Sequence, residues 1–152
     1  MRNTLLAAGA ALLLAASPAA AQQKTIKIGF ISTFSGPVAV IGNDMRNSFE
    51  LALDHLGRKM GGIPVEVIYE DDGFKPEVGK QKTDKLIESD KVDFITGYIW
   101  SNVLLASLKS AVDSKTFLIT ANAGPSQLAG ELCSPYVFSS SWNNDQTPQS
   151  VG

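Results

Sequence analysis

The sequence predicts an α/β protein built on an open, mostly parallel sheet with helices on both faces. Three observations carry this. Apolar strand-like runs alternate with helical periods in the order strand, helix, strand, helix, strand, helix, strand, which is the signature of successive βαβ units. The first strand-like run ends at Phe30-Ile31, apolar on both faces, as burial from both sides of a sheet requires. Clusters of Gly, Pro, Asn and Asp separate the runs and supply turns.

The elements follow in order. Lys24 to Ile31 reads as a strand, with Ile26, Ile28 and Phe30 alternating. Ser32 to Gly42 is a long turn around Gly36-Pro37. Asn43-Asp44 is expected to cap the first helix. That helix directs Met45, Phe49, Ala52, Leu53 and Leu56 inward and Arg46, Asn47, Glu50, Asp54 and Arg58 outward, and Gly61-Gly62 is expected to stop it. Ile63 to Tyr69 is the second strand, leaving through Glu70-Asp71-Asp72-Gly73. Lys75-Pro76-Glu77 opens the second helix, with Val78, Leu86 and Ile87 inward. Val92 to Thr96 is the third strand. The third helix, Asn102 to Val112, carries Leu104, Leu105, Leu108, Ala111 and Val112 on one stripe. Thr116 to Thr120 is the fourth strand, Ala121 to Pro135 is turn-rich, and Tyr136 to Ser140 is the fifth strand. Gln146 to Gly152 reads as the start of a helix, with Pro148 in its first turn.

The N-terminus has a different character. Met1-Arg2-Asn3 is positively charged, Leu5 to Ala16 is apolar but short for a bilayer span, and Ala19 and Ala21 fit an A-x-A cleavage site. Residues 1–21 are therefore expected to be a signal peptide, and residues 22–152 a lobe of an exported protein. The net charge is −2, with no basic patch, which gives nucleic acid no footing. Cys133 is the single cysteine. An odd cysteine in an exported chain is expected to find a partner, here beyond Gly152.

The chemistry points to recognition rather than catalysis. The only histidine, His55, falls within the first helix beside Leu53 and Leu56, away from the strand exits where a Ser-His-Asp or Cys-His arrangement would need it. Glu70-Asp71-Asp72 lacks the spacing of a calcium loop and reads as a solvated turn that favours the following helix N-terminus. No phosphate-binding glycine fingerprint and no cofactor motif is present. In parallel α/β sheets, ligands bind beyond the carboxyl ends of the strands. The loops there are Ser32 to Gly42, Tyr98 to Asn102 and Ala121 to Ser126. Gly97-Tyr98-Ile99-Trp100-Ser101-Asn102 links a strand to a helix. It offers the Ser101 hydroxyl and the helix N-terminus for a carboxylate. Asn122, Ala123 and Gly124 are candidates for a polar end, while Phe34, Tyr98, Trp100 and Trp142 are candidates for apolar walls. The bland alternative is that Trp100 is core and Ser101 only a cap.

Several segments together carry a family resemblance: Ile26-Lys27-Ile28-Gly29 with Phe34-Ser35-Gly36-Pro37 and Gly42; Tyr69-Glu70-Asp71-Asp72 before Lys75-Pro76; Phe94-Ile95-Thr96-Gly97 before Ser101; and Asp145-Gln146. The chain resembles the leucine/isoleucine/valine-binding type of periplasmic solute-binding protein, the type I fold of ABC importers. The resemblance implies two lobes with ligand between them, of which these residues supply the first, the second lobe being missing. It implies a small-molecule ligand, a membrane permease as partner, a periplasmic monomer, no enzymatic activity and no cofactor. It places Ser101 and the loop Asn122-Ala123-Gly124 at the ligand's head group. Amino-acid binders of this family often carry Thr or Ser where Gly124 stands. With Trp100 and Trp142, that departure points toward the family's aromatic-acid binders. The alternatives are a ligand-sensing module with the same fold and an exported enzyme on a flavodoxin-like sheet.

Overall fold

The computed structural model describes residues 24–151; the predicted signal segment lies outside the described residues. The elements are β1 (Ile26–Ser32), α1 (Ala39–His55), β2 (Lys59–Met60), β3 (Ile63–Asp71), α2 (Pro76–Glu88), β4 (Phe94–Gly97), α3 (Ser101–Asp113), β5 (Phe117–Thr120), β6 (Val137–Ser139) and the short α4 (Gln146–Gln149). The sheet order is β2-β3-β1-β4-β5-β6. Every pairing is parallel except the hairpin β2–β3. The strand order reverses beside β1, and the carboxyl ends of β1, β4, β5 and β6 point to one edge.

The register sorts side chains onto two faces. Gly29, Ile95 and Leu118 stand in one row across the sheet. With Ile31, they face α2 and α3 and meet Leu86, Val103, Leu104 and Ala111 in a fully buried cluster. Burying such side chains contributes roughly 1.5–3 kcal/mol each, so this layer is the core of the lobe. Phe30, Thr96, Ile119 and Phe138 form a row on the opposite face. There Phe30 packs on Phe49 of α1 and on Tyr69, with ring centroids 5.2 and 5.3 Å apart. α1 covers only part of this face. Phe117 and Phe138 lie beyond it, 46% and 51% exposed, with Phe117 packed at a tilt against both Tyr136 and Phe138.

Two expectations about α1 are corrected. The helix begins at Ala39, so Asn43 and Asp44 lie inside it and cap nothing. Gly36, at φ 78°, turns the chain back, and Ala39 N–H donates to Gly36 O at 3.2 Å. The turn itself starts the helix, through the apolar run Ala39-Val40-Ile41. At the far end, Gly57 and Arg58 adopt left-handed φ, and Arg58 N–H donates to Leu53 O at 2.7 Å. That closes the helix well before Gly61-Gly62. The glycine pair instead makes the turn of the β2–β3 hairpin, an element too short to leave a periodic trace. The inward face of α1 is also thinner than expected: Leu53 is buried, but Leu56 is 59% exposed. On α3 the buried stripe is Val103, Leu104, Ser107, Leu108 and Ala111, rotated by one position from the expected one. Leu105 and Val112 turn instead toward Leu132 and Cys133, and Cys133 is an exposed free thiol.

Candidate functional site

The carboxyl edge of the sheet is where the candidate residues meet. Gly97 ends β4 with φ +102°, conformational space that side chains rarely occupy. It also lets the chain pass close to β1, and Tyr98 N–H donates to Ile31 O at 2.7 Å. The chain then runs through Ile99 and an extended Trp100 into α3. Leu104 N–H makes the first bond of the helical ladder, to Trp100 O at 3.0 Å, so the N–H groups of Ser101, Asn102 and Val103 precede the ladder. No side chain caps them. Ser101 is thus the first helical residue rather than the cap, and its Oγ accepts a hydrogen bond from Asn144 Nδ2 at 3.0 Å.

Asn144 ties the edge together. Its backbone N–H donates to Gly124 O at 2.8 Å while its side chain reaches Ser101. The strap after β6 is thereby laid against the loops that follow β4 and β5. Gly124 is required for this approach, because a Cβ there would lie 1.9 Å from Trp142 O. A hydroxyl side chain has no room at this position. Gly124, Leu128, Val137, Ser139 and Trp142 line a cavity of about 220 Å³ beside it. Trp142 is 48% exposed.

The other candidates separate. Tyr98 is corrected: it is fully buried, its hydroxyl 2.7 Å from Thr83 Oγ1, and burial pushes its pKa up to about 12. The positive φ after Gly97 turns this side chain down into the α2/α3 core, so Tyr98 supports the edge without facing it. Ala123 is also buried, with its N–H donated to Tyr98 O at 2.9 Å and its carbonyl accepting from Thr120 Oγ1. Asn122 spends its amide on Ile99 O at 3.0 Å. Both residues therefore hold the β5 loop in shape. Phe34 is half-buried, stacks on Phe30 and meets Tyr69 edge to face, with centroids 6.3 and 6.0 Å apart, on the α1 side and away from the α2/α3 core against which Trp100 packs.

The acidic exit of β3 is also corrected. Asp72 is fully buried, because its N–H extends the β1–β3 ladder to Ser32 O at 3.0 Å. Burial raises its carboxyl above the usual aspartate range, against the opposing hydrogen bonds from Thr33 and Phe74. Asp71 accepts from the backbone N–H groups of Phe34 and Gly73 at 2.8 and 2.9 Å. Its partial burial raises its pKa, but these and other hydrogen bonds outweigh that and hold it low. Glu70 receives Lys82 and Lys85, each at 2.7 Å. Burial pulls its pKa upward, and the two lysines outweigh that and hold it below the ordinary value. No group of three metal-ligating side chains occurs among the described residues.

Two further residues at this edge left no signal in the sequence. Phe74 sits 4.4 Å from Trp100, centroid to centroid, and Thr33 accepts the Trp100 indole N–H at 3.0 Å. Thr33 closes the first strand exit and Phe74 follows a turn glycine, and neither position carries a recognisable motif. Trp100 is half-buried: its indole nitrogen is anchored inward while its ring borders the edge.

A parallel sheet with uncapped helix N–H groups, a hydroxyl and aromatic rings at its carboxyl edge is an arrangement suited to holding a small anionic ligand. Comparison with known proteins agrees. The chain belongs to the periplasmic binding protein family, whose model matches residues 25–152. It is 29% identical over 148 residues to Leu/Ile/Val-binding protein homolog 6 of Brucella abortus, covering 97% of this chain and 37% of that protein. An ABC transporter substrate-binding protein from Sphaerobacter thermophilus superposes with a TM-score of 0.76 at 36% identity, covering 85% of this chain and 38% of the other. A solute-binding protein of an ABC transporter from R. palustris, solved in complex with benzoate, gives a TM-score of 0.77 at 32% identity, covering 81% and 34%. The chain thus spans well under half the length of the relatives it matches.

Proposed function

We propose that this chain is the first lobe, residues 22–152, of a periplasmic solute-binding protein that delivers a small carboxylate to the permease of an ABC importer. The second lobe of the same protein would close over the carboxyl edge, and one copy would suffice. The observation that carries this reading is the pairing of Ser101 with the uncapped first turn of α3, beside Trp100 and the Trp142–Gly124 cavity. A carboxylate there would exchange the Asn144 contact for Ser101 Oγ and the helix N–H groups; hydrogen bonds to a charged partner contribute about 1.5–3 kcal/mol each. The helix dipole adds to that attraction.

Between an α-amino acid and an aromatic acid, the aromatic acid is favoured. An ammonium group needs acceptors, and one that this loop could supply, the Gly124 carbonyl, already accepts from Asn144. Flat apolar surface is plentiful in Trp100, Phe74 and Trp142. Calorimetry on the full-length mature protein, with benzoate, hydroxybenzoates, leucine and isoleucine, tests the reading. Binding of at least one benzoate more tightly than leucine is expected. Failure to bind any of the four would overturn the role, and a preference for leucine would overturn the aromatic assignment.

A further inference from the structure

The buried carboxylate of Asp72 has no place in the binding scheme so far, yet two aromatic residues at the edge, Phe74 and Trp100, lead back to it. Its Oδ1 accepts the Thr33 hydroxyl at 2.5 Å and the Phe74 backbone N–H at 2.8 Å. Thr33 Oγ1 in turn accepts the Trp100 indole N–H at 3.0 Å. The direction of this chain is fixed by chemistry. An indole N–H can only donate and a hydroxyl has a single proton, so Thr33 must accept from Trp100 and pass its own proton toward Asp72. One carboxylate oxygen therefore anchors both members of the Trp100–Phe74 pair.

A second observation shows that this pair is held against resistance. Phe74 has φ 61°, a conformation disfavoured for a bulky side chain, and the residue is nonetheless 46% exposed. Strain that exposes an aromatic ring does nothing for the core. Asp72 carries a cost of its own: it is fully buried without a cationic partner, and Oδ2 is unpaired among the described residues. An exposed Phe74 on strained backbone and a buried carboxylate stand together beside the place where the proposed ligand would lie.

We propose that Asp72 is a positioning residue for ligand recognition, and that through Phe74 N–H and the Thr33 hydroxyl it holds Phe74 and Trp100 as one aromatic wall against the flat face of an aromatic carboxylate. This rests on the carboxylate-binding reading above. Phe74 becomes a ligand contact, and Thr33 the link that sets the angle of the indole.

The test uses the full-length protein with Thr33→Val, Thr33→Ser and Asp72→Asn. Two quantities are read: hydrogen exchange of the Trp100 indole N–H by NMR, its signal assigned by loss in Trp100→Phe, and benzoate affinity by calorimetry. Thr33→Val is nearly isosteric and removes only the hydroxyl, while Thr33→Ser retains it. Exchange in Thr33→Val is expected to quicken by about tenfold, as loss of a hydrogen bond of ordinary strength allows, and in Asp72→Asn, whose amide oxygen still accepts but carries no charge, to quicken by less. Benzoate affinity is expected to fall about threefold to tenfold, the range of one well-oriented aromatic contact. Thr33→Ser should restore both. Unchanged indole exchange in Thr33→Val would overturn the anchor. Changed exchange with unchanged benzoate affinity would overturn the role in recognition. If the parent protein binds none of the benzoates or amino acids, the carboxylate-binding reading fails, and with it the recognition role; the exchange measurement still decides whether Asp72 and Thr33 hold Trp100. Should Asp72→Asn not fold, the Thr33 pair decides alone.

Discussion

Replacing Gly97 by alanine should be among the most damaging single-methyl additions in this protein. Two costs are separable. The first is conformational: at φ +102° an alanine is strained, at about 1–3 kcal/mol. The second is steric. The new Cβ would lie 2.1 Å from Ile31 O and 3.0 Å from Ile31 C, backbone atoms of the central strand. Ile31 O already accepts the Tyr98 N–H at 2.7 Å, and Gly97 O accepts the Ala121 N–H at 3.1 Å. Relief therefore requires β1 and β4 to part, with partial loss of two buried backbone hydrogen bonds at about 1 kcal/mol each and of packing at the Tyr98 turn, a further ~1–3 kcal/mol. The total, roughly 4–8 kcal/mol, is a large share of the 5–15 kcal/mol that holds a typical domain together. Gly36→Ala is the internal control. Gly36 has φ +78° but nothing within 4 Å of its would-be Cβ, so it carries the conformational cost alone. Urea unfolding of the two variants, followed by circular dichroism, should separate them by at least about 2 kcal/mol. Equal losses would refute the claim that Gly97 is held by the closeness of β1 rather than by φ.

Ser101→Ala should weaken the preferred carboxylate by more than about tenfold while shifting stability by less than about 1 kcal/mol, since the bond it loses to Asn144 is exposed; unchanged affinity by calorimetry would remove Ser101 from the site. Gly124→Ser should push Trp142 and Asn144 off the β5 loop, destabilising by about 1–3 kcal/mol as overpacking does and weakening ligand binding; full affinity at wild-type melting temperature would show that the strap does not need this approach. Glu70→Gln should cost about 1–2 kcal/mol near neutral pH by leaving Lys82 and Lys85 without their shared carboxylate. Because the folded pKa of Glu70 lies below the ordinary 4.5, that stabilisation is present above pH 4.5 and fades as pH falls through the folded value. The gap between parent and variant in denaturation midpoint should therefore narrow below pH 4.5, and a gap that stays constant down to pH 3 would contradict the ion-pair account.

Much of the architecture was legible in the order of residues. Alternation at Ile26, Ile28 and Phe30, the helical period from Leu104 to Ala111, and the turn clusters between runs require only local geometry: side chains repeat every two residues on a strand and about every 3.6 on a helix. Those periods led to βαβ units, to a parallel sheet, and from there to the strand-exit loops as the place for a ligand. Ser101 emerged the same way, because a strand-to-helix junction necessarily presents N–H groups.

What sequence order could not decide was direction and depth at that edge. Tyr98 and Trp100 are neighbours but one apart, and only the left-handed turn at Gly97 and Tyr98 sends the first into the core and leaves the second at the rim. Asp71 and Asp72 read as equal solvated carboxylates, until pairing of β1 with β3 buries Asp72 fully and leaves Asp71 only partly buried. Gly124 looked like a missing hydroxyl. Its reason lies 18 residues on in the Trp142 carbonyl, which comes within van der Waals reach only when the sheet is assembled. Periodicity is a local property and was settled by the chain itself; the burial of a carboxylate and the aim of an aromatic ring depend on contacts between distant segments, and those exist only in the tertiary fold.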